Sequence, residues 1–88
     1  MVEFKCQVNN KIGMHLRAAG EFVKLASKFS SEITVIKNGK KANGKSILGL
    51  ASLAVGAGTI ITIQVEGKDE KDVQTAIQDL IDQNFYED

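Results

Sequence analysis

Apolar and polar residues alternate almost from the first position. In VEFKCQV, Val2, Phe4, Cys6 and Val8 fall on one side and Glu3, Lys5 and Gln7 on the other, the period of a half-buried strand. From Leu16 the period becomes helical: Ala19, Phe22, Val23, Ala26 and Phe29 form a stripe that predicts a helix reaching to about Phe29, with Leu16, Gly20, Lys24 and Ser27 outside it. EITVIK reads as a second strand. Asn38-Gly39, the strongest short hairpin signal, turns it into a brief third strand over residues 40–43.

The next segment is denser in apolar side chains than a short helix needs. Ile47, Leu48, Leu50, Ala51, Leu53 and Ala54 leave almost no polar face between Ser46 and Val55. A small domain has little interior in which to surround a helix on all sides, so one side should enter the core while another stays near water. GAGTIITIQVEG supplies the last strand, with Ile61, Ile63 and Val65 facing one way. Asp69 is expected to cap a final helix whose stripe is Val73, Ala76, Ile77, Leu80 and Ile81.

The order βαββαβα, with short connections and three amphipathic helices that must bury their stripes on one sheet face, predicts an α+β two-layer sandwich with the helices on one face. Its other face should see solvent through Glu3, Lys5, Gln7, Thr34, Thr59, Thr62 and Gln64. With 88 residues, 43% of them hydrophobic, and no proline, the chain reads as a single domain over 1–88. One cysteine, Cys6, on an apolar face reads as a small core residue; with no signal-peptide pattern, a reducing cytoplasm is the expected compartment. The longest apolar-rich run, residues 47–57, falls short of the roughly 20 residues a bilayer span requires.

Charge divides the chain. Residues 1–65 carry nine basic and three acidic side chains, net +6, and residues 66–88 two and eight, net −6. A positive field over the first two thirds favours acidic partner surfaces or phosphorylated groups.

Three stretches hold candidate chemistry. GKKANGKS, Gly39 to Ser46, fits the phosphate-loop pattern G-x-x-x-x-G-K-[ST], which would make this a small nucleotide-binding protein. The context disagrees, because Gly39 belongs to a hairpin and residues 40–43 return as a strand, where a phosphate loop runs straight from a buried strand into a long helix. Ser46 has a sufficient structural role as the N-cap of the short apolar helix, and a phosphoserine there would meet free amides with Lys45 adjacent. In KIGMHLRAAG, Gly13 permits a tight turn, His15 precedes the helical stripe, and Arg17 lies in the first turn, where a cation is mildly disfavoured unless an anion joins it. A capping histidine and an anion site built on the His15 ring both fit these residues.

Metal binding finds no ligand set in one His and one distant Cys, and no cofactor is implied. The acids crowd the last helix as a solvated face. A nucleic-acid surface would need stacking aromatics; Phe4 and Phe22 are assigned to the core, and few others exist.

GMHLRAA, followed some thirty positions later by GKSILGLASLAVGAG, resembles the histidine-containing phosphocarrier (HPr) family of the phosphoenolpyruvate-dependent sugar phosphotransferase system, over essentially the whole chain. The resemblance implies a four-stranded antiparallel open-faced sandwich with three helices. It also implies that His15 accepts a phosphoryl group from phospho-enzyme I and donates it to an enzyme IIA, as a carrier rather than an independent enzyme, with Arg17 stabilising that group. Ser46 would be the regulatory site of an HPr kinase/phosphorylase, and a monomer would dock partners through Leu16, Gly20, Lys24, Lys45, Ile47, Leu48 and Ala51. A regulatory HPr-like protein without a sugar-transport role is the alternative within the family. One position departs from the family pattern: Ala18 stands where proline commonly follows the motif arginine.

Overall fold

Asn38 and Gly39 adopt φ of +49° and +81°, the left-handed pair that a two-residue type I′ turn requires, and so close the central hairpin. The computed structural model describes residues 1–86. It runs β1 (Val2–Val8), α1 (Leu16–Ala26), β2 (Glu32–Lys37), β3 (Lys40–Asn43), α2 (Ile47–Ser52), β4 (Thr59–Glu66) and α3 (Glu70–Asp82), followed by a short turn over Asn84–Tyr86. The four strands form one antiparallel sheet in the order β1-β4-β2-β3, with Phe4 opposite Ile63 and Ile63 opposite Val35. The fold is the two-layer α+β sandwich that the hydrophobic pattern predicts and the four-stranded open-faced sandwich that the resemblance implies.

Alternation places Ile61, Ile63 and Val65 inward, and all three are fully buried. Complete burial of such a side chain is worth roughly 1.5–3 kcal/mol relative to leaving it in water, so this strand anchors the sheet. Above it, α3 lies across β1 and β4, α1 packs on α3 and α2, and α2 reaches β3. Phe22 of α1 and Ile77 of α3 are fully buried between these layers, and Phe85 closes the core at the C-terminal turn. All three helices therefore sit on one face.

Three expectations need correction. The first helix ends at Ala26, short of Phe29: Lys28 and Phe29 amides bond the carbonyls three residues back, tightening the last turn so that Phe29 leaves the helix, half-buried against the core. Thr59 shares the inward parity of Ile61, and Ile60 takes the open face, 59% exposed. Asp69 occupies the N-cap position of α3 but makes no capping hydrogen bond. Its carboxylate reaches across the molecule instead, accepting from the Ser30 amide at 2.9 Å, the Ser31 amide at 3.1 Å and the Ser31 hydroxyl.

Candidate functional site

His15 enters its helix from an anchored backbone. Gly13 has φ +67° and lies hard against the loop after α2, where an added Cβ would fall on the Val55 carbonyl oxygen and 2.8 Å from Gly56 Cα. Glycine alone meets both the conformation and the close approach. Asn10, itself buried, ties the turn: its side-chain amide donates to Gly13 O at 2.6 Å and its carbonyl accepts from Gly13 N at 3.1 Å. The Met14 amide then donates to Val55 O at 2.8 Å, and the Met14 side chain is buried.

From that anchor His15 becomes the N-cap of α1. Its backbone is extended, its carbonyl accepts from Ala19 N at 2.8 Å, and its Nδ1 accepts from Arg17 N at 3.1 Å. A ring nitrogen that accepts an N–H bond presents its lone pair there, so in the neutral ring the proton belongs to Nε2. The first-turn amides of Leu16, Arg17 and Ala18 have no carbonyl four residues back inside the helix, and no acidic side chain occupies that turn. An anion attached at Nδ1 would therefore stand at the positive end of the helix, with the exposed Arg17 side chain close in sequence to complete its charge balance. The cap and the anion site expected from the sequence would use the same arrangement, because the lone pair that caps the helix is the one an attached group would occupy. Ala18 is fully buried, its methyl in the core. Proline there would fill the same space without contributing an N–H.

Ser46 repeats the theme on α2. Its hydroxyl accepts from Gly49 N at 3.0 Å and its carbonyl from Leu50 N at 3.0 Å. The phosphate-loop match dissolves in the same segment. Gly44 is buried with its amide on Ile33 O at 2.7 Å, and a Cβ on it would meet Ile33 Cγ2 at 2.5 Å, so this glycine serves strand packing rather than a phosphate cradle. Lys45 sends its ammonium to Phe29 O at 2.7 Å, closing the turn that follows α1.

The remaining sequence candidates fall on two packed helices. Leu16, Gly20 and Lys24 recur at four-residue spacing on the outer side of α1; Leu16 is 60% exposed, and open space surrounds the position of a Gly20 Cβ. On α2, Ile47 and Leu48 are 41% and 77% exposed and Ala51 is half-buried, while Leu50 points into the core. Helix α2 is thus two-sided, with apolar side chains presented to solvent beside the Ser46 cap.

Sequence reasoning missed the frame behind His15. Lys37, at the end of β2, donates to Leu53 O at 3.1 Å and Ala54 O at 2.7 Å. Ala54 has φ +54°, a left-handed conformation that costs an alanine roughly 1–2 kcal/mol, and nothing in an Ala side chain signals it in advance. Cys6 is chemically quiet: burial, with the nearby Asp82 charge adding, pushes its thiol up to about 11. Among the described residues no group of three or more His, Cys, Asp or Glu could hold a metal ion, and no helix is long and apolar enough to cross a membrane.

A family model described as the PTS HPr component phosphorylation site matches residues 2–83. The phosphocarrier protein HPr of Neisseria meningitidis serogroup A is 42% identical over 87 residues, covering 99% of this chain and 98% of that protein. The HPr-like protein Crh of Bacillus subtilis is 46% identical over 72 residues, 82% of this chain and 85% of Crh. Among solved structures, HPr-C-His from Thermoanaerobacter tengcongensis superposes with a TM-score of 0.95 at 45% identity, covering 100% of this chain and 99% of that one. With the fold and nearly the full length matched at this identity, the chain belongs to the HPr phosphocarrier family of the phosphotransferase system.

Proposed function

We propose that this protein carries a phosphoryl group on His15 Nδ1, taking it from phospho-enzyme I and delivering it to a histidine of an enzyme IIA. The observation that carries the reading is the Nδ1 lone pair, aimed at the Arg17 amide on the acid-free N-terminus of α1. In the docked complex Nδ1 attacks phosphorus in line. The new N–P bond forms as the donor's N–P bond breaks, and the donor imidazole leaves with the bonding electron pair. The Nε2 proton stays on His15. First-turn amides and the Arg17 guanidinium balance the phosphoryl charge on both sides of the transfer, so the reaction reverses readily with the next partner.

Docking uses the surface of Leu16, Gly20, Lys24, Ile47, Leu48 and Ala51, with Lys45 at its margin. A small, partly apolar patch with a basic rim suits partners that must bind and leave quickly. Phosphorylation of Ser46 by an ATP-dependent HPr kinase/phosphorylase places about two negative charges beside Ile47 and Leu48 and weakens that docking. Arg17 meets the transferred group, Ala18 adds an amide to its cradle, and the protein works as a cytoplasmic monomer without a cofactor.

The test is incubation with phosphoenolpyruvate and enzyme I, followed by mass analysis under alkaline conditions. Acid-labile phosphate on His15, absent from His15→Ala, is expected; no label with any competent enzyme I would sink the proposal. A second reading, a regulatory protein acting through Ser46, is favoured by the likeness to Crh and by a Ser46 cap that owes nothing to His15. It predicts ATP-dependent, acid-stable labelling of Ser46 together with failure of His15 to pass its phosphate to an enzyme IIA.

A further inference from the structure

Asn10 ties the His15 loop within itself, and the loop is joined to the segment after α2 by the backbone carbonyl of Val55, which accepts from Met14 N at 2.8 Å and bears on Gly13. Val55 follows directly on Ala54, the left-handed alanine that ends α2. A left-handed residue just after a helix is ordinarily glycine, because a Cβ crowds the neighbouring carbonyl. Something must hold this alanine in place, and α2 has no basic residue in its last turn to do so. The Lys37 ammonium comes instead from the end of β2, straddling Leu53 O and Ala54 O at 3.1 and 2.7 Å. A cation on the last carbonyls of a helix is favoured by their partial negative charge and satisfies acceptors that the helix leaves open.

We propose that Lys37 is a positioning residue for phosphoryl transfer: its ammonium holds the strained Leu53–Ala54 corner, so that Val55 O fixes Met14 and, through it, the orientation of His15. The proposal rests on the phosphocarrier reading above for its functional consequence, although the mechanical link stands on geometry alone. Lys37 itself touches neither the phosphoryl group nor a partner. It acts through three consecutive backbone groups, and the strain at Ala54 is what makes its help necessary.

Lys37→Met keeps the aliphatic stem and removes the charge, Lys37→Arg keeps the charge, and Ala54→Gly removes the strain that the charge offsets. Lys37→Met should slow single-turnover transfer from phospho-enzyme I roughly three- to tenfold by misorienting the nucleophile, with KM for that partner unchanged. Lys37→Arg should restore most of the rate. Measured in an Ala54→Gly background, the Lys37→Met loss should shrink below about twofold, since glycine holds the corner unaided. Hydrogen exchange of the Met14 amide supplies the readout that needs no enzyme: Lys37→Met should accelerate it while exchange of β4 core amides stays the same.

A Lys37→Met variant with unaltered Met14 exchange and transfer rate overturns the proposal. So does a loss that persists undiminished beside Ala54→Gly, or one that resides in KM and falls away with salt, which would make Lys37 a docking charge. If the unmodified protein accepts no phosphoryl group at all, the phosphocarrier reading fails by itself. The Met14 exchange comparison then still decides whether Lys37 holds the His15 loop.

Discussion

The first and last helices begin in opposite electrostatic states. Helix α3 carries Glu70 and Asp72 in its first turn, and the Glu70 carboxylate accepts from Gly67 N at 3.2 Å and meets the N-terminal ammonium of Met1 at 3.2 Å. Helix α1 has no acid in its first turn and places Arg17 there instead. One dipole is neutralised by its own sequence, and the other is kept open at its positive end. The difference leaves the α1 start without a carboxylate of its own, which is where the proposed phosphoryl group would supply the missing charge. α2, likewise free of acid in its first turn, extends the contrast to Ser46.

Both contrasted starts are set by a glycine pressed on a neighbouring segment, Gly13 on Val55–Gly56 and Gly67 on Ser31. Alanine at either position should lower stability by about 2–4 kcal/mol, read as the urea midpoint, through clash and lost packing. Only Gly13→Ala should reach the chemistry, cutting phosphoryl transfer on the order of a hundredfold, because a shift near 1 Å in a reacting group costs that much. Equal transfer by folded Gly13→Ala and Gly67→Ala proteins would erase the functional side of the comparison.

A more direct way to break the contrast is to give α1 the acid that α3 already has. Leu16→Asp places a carboxylate in the first turn and should raise helix stability by about 0.3–1 kcal/mol. The same charge competes with the phosphoryl group for the amides, so transfer should fall at least about tenfold relative to the neutral Leu16→Asn control, which loses the same apolar contact. Thermal melts and single-turnover transfer on the two variants check both signs at once.

Ser46→Asp tests the other open helix start, at a smaller expected effect. The Asp side chain still caps α2, so stability should stay within about 0.5 kcal/mol, while its charge beside Leu48 should raise KM for phospho-enzyme I by roughly three- to tenfold. Unchanged kinetics would remove Ser46 from the control of docking.

Much of the fold behind this contrast is legible in the sequence. Alternation places the strands and identifies Ile61, Ile63 and Val65 as core, Asn38-Gly39 sets the hairpin, and His15 with Arg17 before a helical stripe fits a helix cap and an anion site equally by residue type. What stayed hidden depends on segments that meet only in three dimensions. Lys37 and Lys45 look like solvent-facing charges, yet each closes a helix end from another element. Ala54 adopts a conformation its side chain disfavours, and no local pattern reveals a residue held by tertiary contacts. Asp69 was legible as a cap because Asp before a helix ordinarily caps it; the proximity of Ser30 and Ser31, nearly forty residues earlier, redirects its carboxylate.

That redirected carboxylate carries the smallest predicted effect. Hydrogen bonds from the Ser31 side chain, then from the Ser30 and Ser31 amides, hold Asp69 below its ordinary 3.8, and the Gly67 amide with the N-terminal ammonium lowers Glu70 from 4.5. A carboxylate whose folded value is depressed contributes stability that is full above its unfolded value and is lost as pH falls through the folded one. The α3 start should therefore loosen in the window below about pH 4, whereas the acid-free α1 start brings no carboxylate of its own to that titration. Urea midpoints between pH 6 and pH 2.5 should fall with acid in the unmodified protein and fall less steeply in Asp69→Asn, which keeps the shape and one acceptor but cannot titrate. Parallel curves for the two proteins would show that the clasp between α3 and the Ser30–Ser31 turn does not depend on charge, and the electrostatic contrast would then rest on Glu70 and Asp72 alone.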